Sequence, residues 1–199
     1  MIRYLLFILI GILLLHSSCS TRIVSNNFYQ LNKGTLDSIE SRYEKLNAIK
    51  PFAVAFTNKP MDIVLIELIS DSLTRIYEFN INEQRMIDSL SKYQYDTIRI
   101  PSLIKRMQET KVTWINNYDY WVNDQPQRMI YLSIKPVTIR YPFTPPKYIT
   151  LAYFRTPQVF DERGRLLDNR RTRRIRKLNN QTFYKITDRI CYTIAEKYR

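Results

Sequence analysis

The chain is 199 residues long, 45% apolar, and carries 31 Lys and Arg against 18 Asp and Glu, a formal charge of +13. That size and composition suit one globular domain with a sizeable core, and the charge favours anionic partners through long-range attraction. Glycine occurs only at Gly11, Gly34 and Gly164, which excludes the clustered glycines of dinucleotide and P-loop nucleotide sites.

At the start of the chain, Arg3 precedes an apolar run over 4–15, and His16-Ser17-Ser18-Cys19 follows. A basic start, a short apolar run and small residues before a cleavage point form the pattern of an export signal. The run is shorter than the ~20 residues that span a bilayer. With Ser17 and Ser18 directly before Cys19, the segment resembles the lipobox of bacterial lipoproteins, in a loose form similar to that of Bacteroidota; His16 stands where the family usually has Leu. The resemblance implies cleavage after Ser18 and acylation of Cys19 by fatty acid such as palmitate. No Asp follows Cys19 and no acidic cluster lies near it, which by the same resemblance implies the outer membrane and a domain facing the periplasm. The competing readings are an ordinary signal peptide cut near Ser18 and an uncleaved anchor. The expected organisation is a signal peptide over 1–18, a lipidated cysteine and polar tether over 19–33, and one domain over 34–199.

Two exclusions follow from cleavage. His16 is the only histidine, so the mature chain lacks imidazole, and with it Ser-His-Asp and Cys-His catalysis and the common zinc sites. The only other cysteine is Cys191. With Cys19 acylated it has no disulfide partner in the chain, and beside Ile190, Ile194 and Ala195 it is expected as a small buried residue.

A helix is predicted over 35–48, capped by Thr35, with Leu36, Ile39, Tyr43 and Leu46 on one face and Glu40 and Glu44 solvating the rest. Strands follow over 52–57, 63–69 and 74–81, the last two as a hairpin. A helix starts near Asn82 and buries Met86, Ile87 and Leu90. A short strand is expected over 97–100, then a helix opened by Pro101 with Leu103, Ile104 and Met107 inward. Strands over 112–122 and 127–134 come next, then an irregular stretch with prolines at 136, 142, 145 and 146. A strand over 148–154, a basic segment over 161–180, a short strand over 183–186 and a final helix capped by Thr187 or Asp188 complete the chain. The expected class is α+β: an antiparallel or mixed sheet with several packed helices in a single domain.

Two constellations stand out. The basic segment holds Arg170, Arg171, Arg173, Arg174 and Arg176, besides Arg163, Arg165 and Lys177. Guanidinium groups bind phosphate and carboxylate through paired hydrogen bonds, so these arginines suit an anionic lipid, an anionic glycan or an acidic envelope protein; the plainer reading is a solvated loop. The second is aromatic: Trp114, Tyr118, Tyr120 and Trp121, interleaved with Asn116, Asn117 and Asp119. Rings beside amides suit glycan contact, and they equally suit cross-strand packing.

No spacing selects a catalytic carboxylate pair, a metal site or a cofactor site, and export argues against a nucleic-acid partner. The sequence therefore points to a non-enzymatic envelope lipoprotein. It would be a binding or assembly module held to the membrane by its N-terminal lipid. The alternatives are a glycan-binding protein or glycan hydrolase, and a component of an envelope secretion or transfer machine.

Overall fold

The computed structural model describes residues 2–70, 72–122, 125–135, 147–167 and 182–195, with side chains described from Ser25 onward other than those of Trp121 and Val122. Helix α1 (Ile2–Ile49) leads into strands β1 (Phe52–Phe56), β2 (Ile63–Ile69) and β3 (Thr74–Asn80). Helices α2 (Gln84–Lys92) and α3 (Arg99–Glu109) follow. The chain then forms β4 (Val112–Val122), β5 (Gln125–Ile134), β6 (Tyr148–Phe154), β7 (Tyr184–Lys185) and β8 (Ile190–Ala195). The strands form one open sheet in the order β3-β2-β1-β4-β5-β6-β8-β7, antiparallel at every described pairing.

Period-two alternation assigns the side chains to two faces. On one face, Leu36, Ile39 and Tyr43 of α1, Met86 and Leu90 of α2, and Leu103, Ile104 and Met107 of α3 cover Phe52, Val54, Ile66, Ile115, Leu132 and Leu151. On the other, Trp114, Tyr120, Met129, Tyr131, Phe154 and Cys191 form a second core with Phe183, against which Phe160 and Leu166 pack. Phe160 and Leu166 belong to a narrow ribbon joined by an antiparallel bridge. Its tip uses Gly164 at φ 72°, where a side chain would be strained, with Gly164 N–H donating to Asp161 O at 2.8 Å.

The seam between β1 and β4 is the sheet's shortest internal junction, with only Val54↔Ile115 and Ala55↔Trp114 in register. A hydrogen-bonded chain on α1 crosses it. Tyr43 hydroxyl donates to Phe52 O at 2.6 Å, Asn47 Nδ2 donates to Tyr43 hydroxyl (3.0 Å) and to Phe52 O (2.9 Å), and Asn117 Nδ2 on β4 donates to Asn47 Oδ1 at 3.1 Å. The buried Phe52 carbonyl and the Asn47 amide are thus paired, as burial demands, while Asn117 Oδ1 is buried without a hydrogen-bond partner among the described residues.

The expected α+β class is corrected: among the described residues, the fold is mostly an open antiparallel sheet of eight strands, carrying three helices. Three elements differ from the expectation, and the first of them shifts the balance toward sheet. The final helix expected after Asp188 is β8, a strand with Cys191 and Ala195 inward on one face and Tyr192 on the other. A short strand buried on both faces lacks the alternation that separates it from a helix. The strand expected over 97–100 is a turn running into α3, because the Asp96 carboxylate accepts the N–H groups of Ile98 (3.0 Å) and Arg99 (2.6 Å) and so starts the helix. The polar tether expected over 19–33 is part of α1, with Ser25 and Tyr29 fully buried.

Candidate functional site

Helix α1 lies across the sheet from the β1–β4 seam, where Asn47 meets Asn117, to the β7 edge, where Asn26 faces Lys185, Ile186 and Tyr192. Between Asn26 and the ribbon tip runs a groove of about 510 Å³, lined also by Asp161, Glu162 and Gly164. The Asp161 carboxyl is held below the usual carboxylate range by the Arg165 N–H, then by the Arg165 guanidinium and the Arg163 N–H. Asp161 therefore fixes the ribbon turn. Lys185 Nζ pairs with Asp188 at 2.6 Å and sits over the Phe160 ring.

The ends of the arginine-rich segment emerge at the same edge. Leu166 N–H donates to Phe183 O at 2.8 Å, and Arg165 bridges to Tyr184 of β7. The segment's flanks are therefore hydrogen-bonded neighbours beside the entry of α1. Arg170, Arg171, Arg173, Arg174 and Arg176 themselves lie outside the described residues, as does the side chain of Trp121. Cys19 falls within α1, its side chain outside the described set.

The other aromatic residues are brought together, but as core. Trp114 is 6% exposed and Tyr120 0%. Trp114 meets Tyr118 and Tyr131 edge-on, Tyr120 meets Phe154 edge-on, and Tyr131 stacks on Phe183. The rings of Trp114 and Tyr120 are thus taken up by core packing, while Tyr118 is half-buried. Cys191 is buried in the same cluster.

A charged cleft lies on the helix-covered face, lined by Glu40, Glu44, Asn117, Arg128, Arg155 and Arg189 among others. Arg155 donates to Glu44 at 3.0 Å, and Arg189 donates to Phe154 O at 3.0 Å. The Glu40 carboxyl is pushed up to about 7, chiefly by burial and then by the negative charges of Glu44 and Asp37, against the pull of Arg189. Burial raises Tyr153 in the same way. The enclosed space is only about 30 Å³, room for a water rather than a sugar ring. Of the two carboxylates, Glu44 ties α1 to Arg155 at the end of β6 through its ion pair.

Neither the cleft nor the groove was marked by any sequence motif. Glu40 and Glu44, four residues apart, looked like a solvated helix face, and Arg155 and Arg189 are far from them in sequence. The available signal was Asn47, a polar residue continuing the apolar stripe of Leu36 and Tyr43. No family model, curated protein or solved structure matches the chain.

Proposed function

We propose that the protein is a lipid-anchored envelope module that binds or assembles with partners rather than catalyses a reaction, with its arginine-rich segment turned to the anionic surface beside the anchor. One observation carries this reading: the entry of α1 and both flanks of the arginine segment share the β7 edge. Cys19 is six residues before buried Ser25, about 9 Å at the helical rise. An acylated Cys19 therefore holds that edge against the outer membrane on its periplasmic side. A polybasic segment so placed adds attraction of about 1 kcal/mol per basic residue near an anionic surface, within a Debye length. The buried ring cluster and the 30 Å³ cleft favour binding over glycan hydrolysis.

Two measurements test this. Mass analysis of the chain isolated from membranes should show an acylated N-terminal Cys19; a start at Met1, or a free thiol at Cys19, removes the anchor. Reversal of Arg170, Arg171, Arg173 and Arg174 to Glu in a Cys19→Ser background should abolish salt-sensitive binding to vesicles containing phosphatidylglycerol. Unchanged binding removes the role of the segment.

A further inference from the structure

The sheet has two very different edges. β7 is two residues long and is bridged by the ribbon. β3 is seven residues long and, among the described residues, has no strand on its outer side. Hydrogen bonds at both ends of the β2–β3 hairpin, Ser70 N to Leu73 O (3.0 Å) and Ile81 N to Asp62 O (2.9 Å), fix which residues turn inward. Bonded pairs alternate in an antiparallel ladder, so Arg75, Tyr77 and Phe79 direct their backbone groups to β2. Thr74, Ile76 and Glu78 direct theirs outward. Glu78 O accepts from Arg85 at 3.3 Å; the outward groups of Thr74 and Ile76 have no partner among the described residues. Ile76, at the middle of this bare row, is 61% exposed, and Leu73, just before the strand, is 49% exposed.

We propose that β3 pairs with β3 of a second copy of this chain, antiparallel, with Ile76 facing Ile76 across a twofold axis. A row of outward amides and carbonyls at strand spacing is satisfied along its whole length by another extended strand, and β3 complements itself. Antiparallel pairing about Ile76 brings back the same row of outward groups, sets an apolar side chain at the axis and places the Arg75 guanidinium of each strand opposite the Tyr77 ring of the other. The register follows from the side chains. A twofold at Ile76 opposes Ile76 to Ile76, Thr74 to Glu78 and Arg75 to Tyr77, and every outward backbone group meets another. A twofold at Glu78 sets carboxylate against carboxylate, and one at Tyr77 sets Ile76 against Glu78. Like charges directly opposite destabilise a strand pair, whereas apolar pairs stabilise it. The result is an isologous dimer with one continuous sheet, and it does not depend on the lipid anchor.

The test uses the full chain in detergent, with protein mass followed by light scattering over a dilution series. The expected result is a monomer–dimer equilibrium that Ile76→Lys weakens by about tenfold or more, since the change acts twice at the axis, with far-UV circular dichroism unchanged. Ile76→Cys should cross-link to a dimer under mild oxidation, while Glu78→Cys and the unaltered chain should not. A monomer at every concentration, a dimer indifferent to Ile76→Lys, or cross-linking through Glu78→Cys instead of Ile76→Cys overturns the proposal. So does a mass that rises only when a different envelope protein is added.

Discussion

The two faces of the sheet are closed by different means. On one, three helices bury an aliphatic core that reaches both sides of the β1–β4 seam. On the other, a ribbon and Phe183 cover an aromatic core centred on β4 to β8. A seam of two paired positions is a weak joint in a sheet. The comparison teaches that the helical face does most to unite the halves, since the aromatic face reaches across the seam only with Ala55 and Leu65.

The largest effect should come from Phe52, fully buried at the start of β1 with its ring edge-on to Tyr43 (5.1 Å) and Tyr95 (6.4 Å). Phe52→Ala is expected to cost about 3–5 kcal/mol in denaturant unfolding. Phe160→Ala, which trims the half-exposed ribbon, should cost about 1 kcal/mol. Similar losses at both sites would erase the asymmetry between the faces.

Asn47→Ala probes the seam directly. It strips the Asn117 amide of its α1 partner and removes a donor to Phe52 O, a loss of about 2 kcal/mol for buried groups left unpaired. Its signature is a loss of cooperativity. Both tryptophans, Trp114 and Trp121, lie on β4, so fluorescence reports one half while circular dichroism reports the whole. In the variant the two unfolding curves should separate; coincident curves would show that the seam does not need its helix clamp.

Much of this contrast was legible before the fold was known, and the reasons for the rest are physical. The stripe of Leu36, Ile39, Tyr43 and Leu46 and the hairpin of β2 and β3 follow from periodicity alone. β8 was hidden because burial on both faces erases alternation, leaving Ile190, Cys191 and Ile194 to imitate a helical stripe. The start of α3 was hidden because β-branched Thr97 and Ile98 outweigh a single Asp96, whose capping bonds depend on geometry. The charged cleft joins residues 40–44 to 155 and 189, a pairing that only the sheet order makes.

Asp96 supplies the next prediction. Its carboxyl is held low, first by the N–H of Arg99, then by that of Ile98 and the Arg99 guanidinium. A depressed folded value stabilises above the ordinary carboxylate range and is lost as pH falls through that range. Asp96→Ala should cost about 1 kcal/mol at neutral pH, as for other helix N-caps, and almost nothing in strong acid. The same cost at every pH would mean that the charge plays no part in starting α3, and that the helical face owes this joint to packing alone.

The smallest effect belongs to Glu40, where α1 meets the edge of the β6 half. Its carboxyl ordinarily titrates near 4.5 and is pushed up to about 7 here, mainly by burial. Between those values the folded chain holds a proton that the unfolded chain has released. More protons are then bound in the native state, and stability falls as pH rises through the window. Glu40→Gln keeps the shape of the protonated acid and never ionises. Its melting temperature should therefore change less than that of the unaltered chain between about pH 5 and about pH 8, with a gain at the upper end of a few tenths of a kcal/mol once partial exposure is allowed for. Parallel curves would mean that Arg189 already neutralises the site, and that the helix is latched to β6 by a full ion pair on both Glu40 and Glu44. A flattened curve leaves Glu44–Arg155 as the charged latch and Glu40 as a neutral acid buried beside it.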